Sequence, residues 1–289
     1  MHSFDFATPA SVSDAVAILA KEGSNARLLA GGTDLLIGMR VGRATPGLVV
    51  DIKQIPEFQQ YTLDDKGLQL GSAVTCRTLY EDAGVVETYP ALIESARIIG
   101  GMQTQGRASI GGNLCNAAPS GDSIPTLIVL GATAKVIGPG GERDVLVEDV
   151  CVAPGRTSLA ENELVLSIDI PAPVANSGAC FQRFIPRNEM DIAVASVASS
   201  VVLSADGSTF ESARISLGAV GPTPIFAEEA GNLLAGKPAT EASIQEAADA
   251  AEAAATPIND MRGTIEQRNH LINVLTKRTL REAVARAKG

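Results

Sequence analysis

The spacing of hydrophobic residues predicts a helix and two strands near the start of the chain. In SVSDAVAILAKEG (11–23), apolar residues recur every three or four positions, which indicates an amphipathic helix. Ser11 can cap the start of this helix and Gly23 can end it. The short apolar runs RLLA (27–30) and LVVDI (48–52) predict strands. Together these elements predict a small βαβ-type unit.

The rest of the chain alternates between strand and helix patterns. The middle of the chain contains predicted strands at 67–73, 134–138, 143–149 and 163–171, and predicted helices at 90–100 and 123–132. PAPVANSG (171–178) is rich in proline, glycine and serine, so it is the best linker candidate. The last third contains predicted antiparallel strands at 180–185, 191–204 and 213–220, then helices at 224–236, 241–255 and 262–287.

This order of elements predicts an α+β architecture. We expect an N-terminal portion at 1–175, with subdomains of about 1–55 and 56–175, and a smaller C-terminal domain at 176–289 with an antiparallel sheet and helices. Of the 289 residues, 45% are hydrophobic and 19% are charged, which is ordinary for a globular protein with a buried core.

Charge and residue composition disfavour several kinds of site. A net charge of −10 argues against nucleic acid binding, because such binders normally carry a basic face. Two histidines make a histidine triad or a histidine-ligated metal site unexpected. Four scattered cysteines without a CxxC pair argue against zinc, an iron–sulfur cluster or a disulfide framework in this chain.

The sequence also carries an expectation about location. The opening residues lack a secretory-signal pattern, and the longest uncharged stretch, 192–205, is too short to span a membrane. We therefore expect a cytoplasmic protein without a transmembrane segment.

Two glycine-rich stretches stand out, AGGTDL (30–35) and ASIGGNLCNAAPSGD (108–122). Paired glycines let backbone N–H groups approach an anionic ligand closely, and Thr33 adds a hydroxyl donor. Taken alone, the first stretch fits a plain turn slightly better. The second predicts an irregular polar loop of roughly ten residues, which is more typical of a binding loop than of a connector, although a surface Ω-loop remains the alternative.

Two familiar nucleotide motifs are not satisfied. GNLLAGKP (231–238) matches the GxxxxGK spacing of a phosphate-binding loop, but Pro238 replaces the required Ser or Thr. Adjacent Gly31 and Gly32 do not fit the GxGxxG spacing of a nicotinamide site.

AGGTDLLIGMR and ASIGGNLCNAAPSGDSIPTL together resemble the FAD-binding (medium) subunit of the molybdenum hydroxylases. That family includes xanthine dehydrogenase, aldehyde oxidoreductases and aerobic carbon monoxide dehydrogenase. The resemblance continues through ENELVLSIDIP, RFIPRNEMDIAVASVA and RGTIEQRNHLINVLTKRTL, so it covers nearly the whole chain. It implies a two-subdomain FAD-binding fold of the vanillyl-alcohol-oxidase/molybdopterin dehydrogenase type, followed by a C-terminal α/β domain.

The resemblance also implies roles for individual residues. The 30–35 segment would hold the FAD pyrophosphate through its backbone, with 27–29 leading in and 109–113 forming the opposite wall. Asp122 would contact the cofactor, Val165 would pack near the isoalloxazine ring, and Arg183 would keep a positive charge where relatives usually have lysine. The implied cofactor-binding residues are Arg27, Leu28, Leu29, Ala30, Gly31, Gly32, Thr33, Asp34, Leu35, Ser109, Ile110, Gly111, Gly112, Asn113, Asp122, Val165 and Arg183.

The chain departs from the family pattern near the second glycine stretch. Many relatives have arginine at Gln105 and asparagine at Gly106, and some have an aromatic residue at Ile99, so stacking there is lost. Cys115 has no nearby histidine or lysine, which predicts a packed, inert thiol. Arg187 and Asp191 shape the flavin face or form a salt-bridged strand edge; the sequence does not decide between these.

The implied function is electron transfer without catalytic side chains of its own. By resemblance, a large subunit carries molybdopterin and a small subunit carries [2Fe-2S] clusters, which pass electrons through this FAD to an external acceptor. The assembly would be a heterotrimer, with a dimer of heterotrimers as an option. A freestanding FAD-dependent oxidoreductase and a non-catalytic assembly module are the alternatives. Neither the substrate nor the acceptor can be deduced.

Overall fold

The N-terminal subdomain is built on a small parallel sheet. The structure, a computed structural model, describes residues 2–187 and 189–289. The elements are β1 (Asp5–Ala7), α1 (Val12–Glu22), β2 (Ala26–Leu29), α2 (Leu35–Arg40) and β3 (Leu48–Asp51). The strands pair in the order β1-β3-β2, and both pairs are parallel. The predicted βαβ-type unit is therefore confirmed.

Local sequence accounts for the first helix. The Ser11 Oγ accepts a hydrogen bond from the Asp14 amide at 3.1 Å, and Gly23 ends the helix with a φ of +52°. Ala15 and Leu19 are buried on one face of α1, where they pack in a core with Val50. This packing covers the parallel sheet and fixes the position of the segment that follows β2.

The second subdomain has a five-stranded antiparallel sheet, with helices packed in its core. Its elements are α3 (Pro56–Gln59), β4 (Tyr61–Asp64), β5 (Gly67–Gly71), α4 (Cys76–Glu81), α5 (Ala83–Thr88), α6 (Pro90–Ala96), α7 (Met102–Gln105), α8 (Ile110–Asn116), α9 (Ser123–Val129), β6 (Thr133–Gly138), β7 (Gly141–Leu146), β8 (Cys151–Ala153), β9 (Arg156–Thr157) and β10 (Leu164–Pro171). The strand order is β4-β5-β10-β6-β7. Leu70 and Ile168 of the sheet share one core with Leu92, Ile110 and Leu127 of the helices.

The C-terminal domain is an antiparallel sheet with helices against one face. Its elements are β11 (Ser177–Phe184), β12 (Ala195–Leu203), β13 (Phe210–Gly218), β14 (Ile225–Phe226), α10 (Glu228–Asn232), α11 (Glu241–Ala254) and α12 (Ile265–Lys288). The strands pair in the order β11-β12-β13-β14. Val197 and Ile215 of the sheet pack with Ile272 and Leu280 of α12. The predicted α+β class is confirmed.

One predicted helix is partly wrong. The segment 224–236 was expected to be helical, but Ile225 and Phe226 form β14 because their main chains pair with Leu217 and Ser216 of β13. Only the part at 228–232 is α-helical. Sheet pairing thus overrides a local helical pattern. Among the described helices, none is both long enough and apolar enough to cross a membrane.

Hydrogen bonds join the C-terminal domain to the second subdomain. The Ser200 Oγ donates to the Val129 carbonyl at 2.7 Å, and the Arg214 Nε donates to the Ile128 carbonyl at 3.1 Å. The Phe181 amide donates to a Glu94 carboxylate oxygen at 2.8 Å. These contacts place β11 beside the end of α6 and α9, next to the second glycine-rich stretch.

Candidate functional site

The first glycine stretch is a loop of free backbone amides between β2 and α2. Gly32 has a φ of +77°, a left-handed conformation that glycine adopts without strain. In the described part of the chain, the amides of residues 31–35 donate to no other group. The helical bonding pattern resumes with the Leu36 amide, which donates to the Gly32 carbonyl at 3.0 Å. Consecutive free amides of this kind form an anion-binding concavity.

The two glycine stretches meet through main-chain contact. A Cβ added to Gly31 would lie 1.8 Å from the carbonyl oxygen of Arg107, so only glycine fits there. A Cβ on Gly111 would lie 2.4 Å from the carbonyl oxygen of Ser72, at the end of β5. The loop after β2, the segment before α8 and the end of β5 are therefore packed backbone to backbone, as the opposite walls of one cradle require.

The second stretch is more ordered than expected. Ser109 caps α8, because its Oγ accepts a hydrogen bond from the Gly112 amide at 3.0 Å. The predicted ten-residue irregular loop is wrong in extent, since 110–116 is helical and only 117–122 is irregular. The Asn113 Oδ1 accepts from the Ser123 Oγ at 2.7 Å, which ties α8 to α9.

A buried ion pair closes one side of this region. The Arg183 Nη1 of β11 lies 2.6 Å from the Asp122 Oδ2, and both side chains are almost fully buried. The other carboxylate oxygen of Asp122 is buried and has no hydrogen-bond partner among the described residues. Burial raises the pKa of Asp122 to about 7, although the Arg183 guanidinium favours the charged form. An unpartnered buried oxygen is costly, so it marks a place for a ligand donor.

Comparison with known families shows to which family the chain belongs. Residues 2–173 match the family described as the FAD binding domain in molybdopterin dehydrogenase. Residues 181–283 match the CO dehydrogenase flavoprotein C-terminal domain.

The chain belongs to the FAD-binding subunits of the molybdenum hydroxylases.

Individual relatives match along their whole length. The carbon monoxide dehydrogenase medium chain of Afipia carboxidovorans is 34% identical over 286 residues, covering 99% of this chain and 98% of the relative. The xanthine dehydrogenase FAD-binding subunit of Escherichia coli O157:H7 is 33% identical over 291 residues, covering 99% of both. This chain is thus an oxidoreductase subunit of the family that the sequence resemblance implies.

Solved structures show the same fold. Carbon monoxide dehydrogenase from Hydrogenophaga pseudoflava, in a form lacking the Mo-pyranopterin moiety, gives a TM-score of 0.94 at 34% identity, covering 99% of this chain and 98% of that one. Quinoline 2-oxidoreductase from Pseudomonas putida 86 gives 0.91 at 26% identity, covering 100% and 99%. The two-subdomain flavoprotein fold with its C-terminal domain is therefore confirmed.

The residues present fit FAD. The free amides of 31–35 suit a pyrophosphate, because they supply consecutive donors and the first two residues, Gly31 and Gly32, have no side chain to block a close approach. The unpartnered Asp122 oxygen suits a hydroxyl donor of the cofactor. Both kinds of group occur in FAD, so the cradle and the buried carboxylate match the family's cofactor.

Several implied site residues contribute main chain rather than side chain. The Arg27 Nη1 donates to the Ser24 and Ala26 carbonyls at 2.9 and 2.8 Å, so its charge is directed towards the preceding turn. Asp34 is exposed and makes no capping hydrogen bond. The apolar members pack into the hydrophobic cores, namely Leu28, Leu29, Ala30, Leu35 and Ile110.

Ser72 links the strand that carries Val165 to the second glycine stretch. It is buried in β10, next to a bulge between Val165 and Ser167. The Ser72 amide donates to the Leu166 carbonyl at 3.0 Å, and Ser72 is the residue against which Gly111 packs. Ser72 was not among the predicted site residues; its signal in the sequence is the small-residue run GSA at the end of a strand.

The departures from the family pattern have structural explanations. The Gln105 side chain is buried and donates to the Arg97 carbonyl, so it anchors the segment before Arg107. Ile99 is half-buried against the main core. Cys115 is solvent-accessible on α8, so the expectation that it is packed is wrong. The surrounding protein nevertheless raises the pKa of the Cys115 thiol to about 12 by desolvation, which agrees with the expectation that it is inert.

Arg187 and Asp191 pair with each other in the segment between β11 and β12. The Arg187 Nε lies 3.4 Å from the Asp191 Oδ2, and the arginine side chain is largely exposed. This geometry agrees with the salt-bridge alternative, although the pair lies in a connection rather than on a strand. A role towards the flavin stays a prediction.

Proposed function

We propose that this chain holds FAD between its two glycine stretches and acts as the electron-transfer subunit of a heterotrimeric molybdenum hydroxylase. The observation that carries the proposal is the contact of Gly31 with the Arg107 carbonyl, which joins both stretches beside five free amides. When bound, FAD supplies the redox chemistry, and the protein supplies position and electrostatics.

Each part of the site has a role in binding. The backbone of 30–35 holds the pyrophosphate, with 27–29 as the supporting strand, and 109–113 forms the facing wall. Asp122 accepts a hydrogen bond from the cofactor through its unpartnered oxygen. Arg183 holds that carboxylate in place and keeps a positive charge near the flavin, and Val165 packs beside the ring.

The domain division follows the element boundaries. We place the FAD-binding portion at 1–175, with subdomains of about 1–55 and 56–175, and the C-terminal domain at 176–289. Strand β3 ends at Asp51, β10 ends at Pro171 and β11 begins at Ser177, which supports both divisions.

The partners are a large molybdopterin subunit and a small subunit with [2Fe-2S] clusters, with a dimer of heterotrimers as the larger assembly. Relatives named as medium chains support this arrangement. Electrons from the small subunit would leave through this chain to an external acceptor. A cytoplasmic location stays a prediction, which cell fractionation tests.

The absorption spectrum of the purified chain, after FAD addition and desalting, tests the cradle. In Gly31→Ala the walls must separate by about 1.6 Å before the new Cβ reaches ordinary contact at 3.4 Å from the Arg107 carbonyl. Overpacking of this kind costs roughly 1–3 kcal/mol, so FAD binding should weaken by roughly 10-fold or more. Gly106→Ala is the matched control, because a Cβ there meets nothing within 4 Å.

The outcomes separate this function from its alternatives. Retained flavin in wild type and Gly106→Ala, but not in Gly31→Ala, supports the cradle. Equal retention in all three contradicts it. A purified complex with its partners but no flavin would support a non-catalytic assembly module. A flavoprotein that purifies alone and turns over its own reducing substrate would support the freestanding enzyme.

A further inference from the structure

A groove of about 520 Å³ lies along the outer edge of β11, apart from the glycine cradle. Its apolar lining includes Ile98 at the end of α6, Phe181 and Phe184 of β11, and Leu271 and Val274 of α12. Phe184 is partly exposed, and β11 is an edge strand of the four-stranded sheet. The groove therefore combines an apolar wall with a strand that has a neighbour on one side only.

The hydrogen-bond register shows which backbone groups face the groove. The Leu203 amide donates to the Asn176 carbonyl, so in this antiparallel pair the even-numbered residues of β11 bond to β12. The backbone N–H and C=O groups of the odd-numbered residues face away from β12, towards the open edge of the sheet. Two of these outward-facing backbone groups already have hydrogen-bond partners. The Phe181 amide donates to the Glu94 carboxylate, and the Ala179 carbonyl accepts from the Arg286 side chain.

The main chain of Arg183 continues this outward-facing row into the groove, and Ile185 follows directly after Phe184, the last residue of β11. In the described structure, neither residue has a backbone hydrogen bond at its outer edge. A strand rises about 3.3 Å per residue, so the strand edge from Phe181 to Phe184 is about 10 Å long, enough for a short extended segment. Open edge groups beside apolar side chains are the arrangement that binds an added strand.

The formal charges that line the groove are two arginines and one glutamate. Its lining contains Arg183, His270 and Arg278, with Glu94 as the acidic member. Glu94 is neutralised by Arg286 and Arg183 is paired with Asp122.

Arg278 is the charged side chain of the lining that is left to meet an occupant, and the His270 imidazole lies on the same helix. Among the groove-lining residues of α12, neither Arg278 nor His270 takes part in an ion pair of the described chain. Because the whole chain carries a net charge of −10, the excess positive charge of Arg278 in this groove is a local exception that favours an acidic occupant.

We propose that the groove between α6, β11 and α12 docks an extended, acidic segment of a partner subunit, which pairs as an added strand with Arg183 and Ile185. The proposal rests on the proposed function, because that function supplies the partner. A segment bound there lies beside Arg183, whose guanidinium reaches the Asp122 carboxylate in the candidate FAD site. Docking would then fix the position of a partner subunit relative to the cofactor.

Hydrogen exchange on the FAD-loaded chain and on the assembled enzyme from its own host tests strand addition directly. We expect the amides of Arg183 and Ile185 to exchange at least 10-fold more slowly in the assembly. The Phe181 amide, already bonded to Glu94, is the internal control and should change little. Unchanged exchange at both positions in an intact assembly overturns the proposal.

Charge reversal tests the acidic character of the segment. In binding assays against the purified remaining subunits, Arg278→Glu with His270→Glu should raise Kd at least 10-fold, and Arg278→Lys should stay close to wild type. Lys288→Glu, an exposed reversal on the last turn of the same helix, is the matched control and should stay within twofold. Equal losses in the double variant and in Lys288→Glu contradict a specific groove.

Flavin absorbance separates this inference from the proposed function. If the chain retains FAD and binds its partners, but shows neither slower amide exchange at Arg183 and Ile185 nor an effect of charge reversal on Kd, the groove proposal alone is refuted. If the chain retains no FAD in any assembly, the proposed function itself is refuted. Competition by inorganic phosphate without amide protection would assign the groove to a small anion, and a homodimer protected at the same amides would assign it to a second copy. Either outcome would overturn the proposal that a segment of a partner subunit occupies the groove.

Discussion

Replacing Asp122 with asparagine should remove a defined part of the pH dependence of stability. The Asp122 carboxyl is buried, and its pKa is raised from an ordinary value of 3.8 to about 7. Between about pH 4 and pH 7 the folded chain therefore binds a proton at this site that the unfolded chain does not. The free energy of unfolding must then fall as the pH rises through this interval.

The size of the effect follows from the shift. Each pH unit in this interval removes about 1.4 kcal/mol of unfolding free energy, so the interval from pH 5 to pH 7 removes about 2 to 3 kcal/mol. Asparagine has nearly the same shape and does not titrate. The difference in unfolding free energy between wild type and Asp122→Asn should therefore shift by that amount, in favour of the variant as the pH rises.

Urea unfolding of the flavin-free chain at pH 5, 6, 7 and 8 measures this difference, because the other titrating groups are common to both proteins. Wild type should lose stability relative to the variant up to about pH 7 and then level off. A difference that stays flat within about 0.5 kcal/mol, or that changes in the opposite direction, would refute the reasoning and show that Arg183 keeps Asp122 ionised throughout.

Three further substitutions test single contacts by urea unfolding. Tyr89→Phe removes a buried hydroxyl that donates to two main-chain carbonyls at 3.2 and 3.0 Å, and should cost about 1 kcal/mol; no loss would contradict the role of these bonds. Arg268→Met removes a buried guanidinium that donates to two main-chain carbonyls and to the solvent-exposed Asp260 carboxylate, and should cost about 1.5–3 kcal/mol; a loss below about 1 kcal/mol would contradict it. Ser109→Ala removes the cap of α8 and should cost about 0.5–2 kcal/mol, whereas an unchanged midpoint would show that the cap is dispensable.

Local sequence patterns predicted those helices and strands for which the local sequence preference and the packing in the fold favour the same structure. The helix after Ser11 has a capping residue, a regular apolar face and a terminating glycine, and each of these features lies within the segment itself. The segment at 110–116 is different, because two adjacent glycines weaken its helical propensity. It is helical because Ser109 caps it and Gly111 packs on the Ser72 carbonyl, a contact between distant parts of the chain.

The residues of the candidate site could be predicted from the sequence, but their contacts with one another could not. The paired glycine stretches pointed to one cofactor, but the contact of Gly31 with the Arg107 carbonyl joins segments 76 residues apart and has no local sequence signal. Asp122 and Arg183 were expected near the cofactor separately. Their ion pair depends on the packing of β11 against the second subdomain, which no spacing rule gives.

Strand β11 connects the two proposed interactions of this chain. The Arg183 side chain reaches into the second subdomain and meets Asp122, while the main chain of the same residue faces the groove at the edge of the sheet. A displacement of this strand would therefore change the surroundings of the buried carboxylate and the docking edge together. Since Arg183 partly offsets the cost of burying Asp122, a partner that holds β11 in place would also stabilise the charged form of that carboxylate. In the proposed function, the C-terminal domain therefore contributes Arg183 to the cofactor site and also offers a surface for assembly.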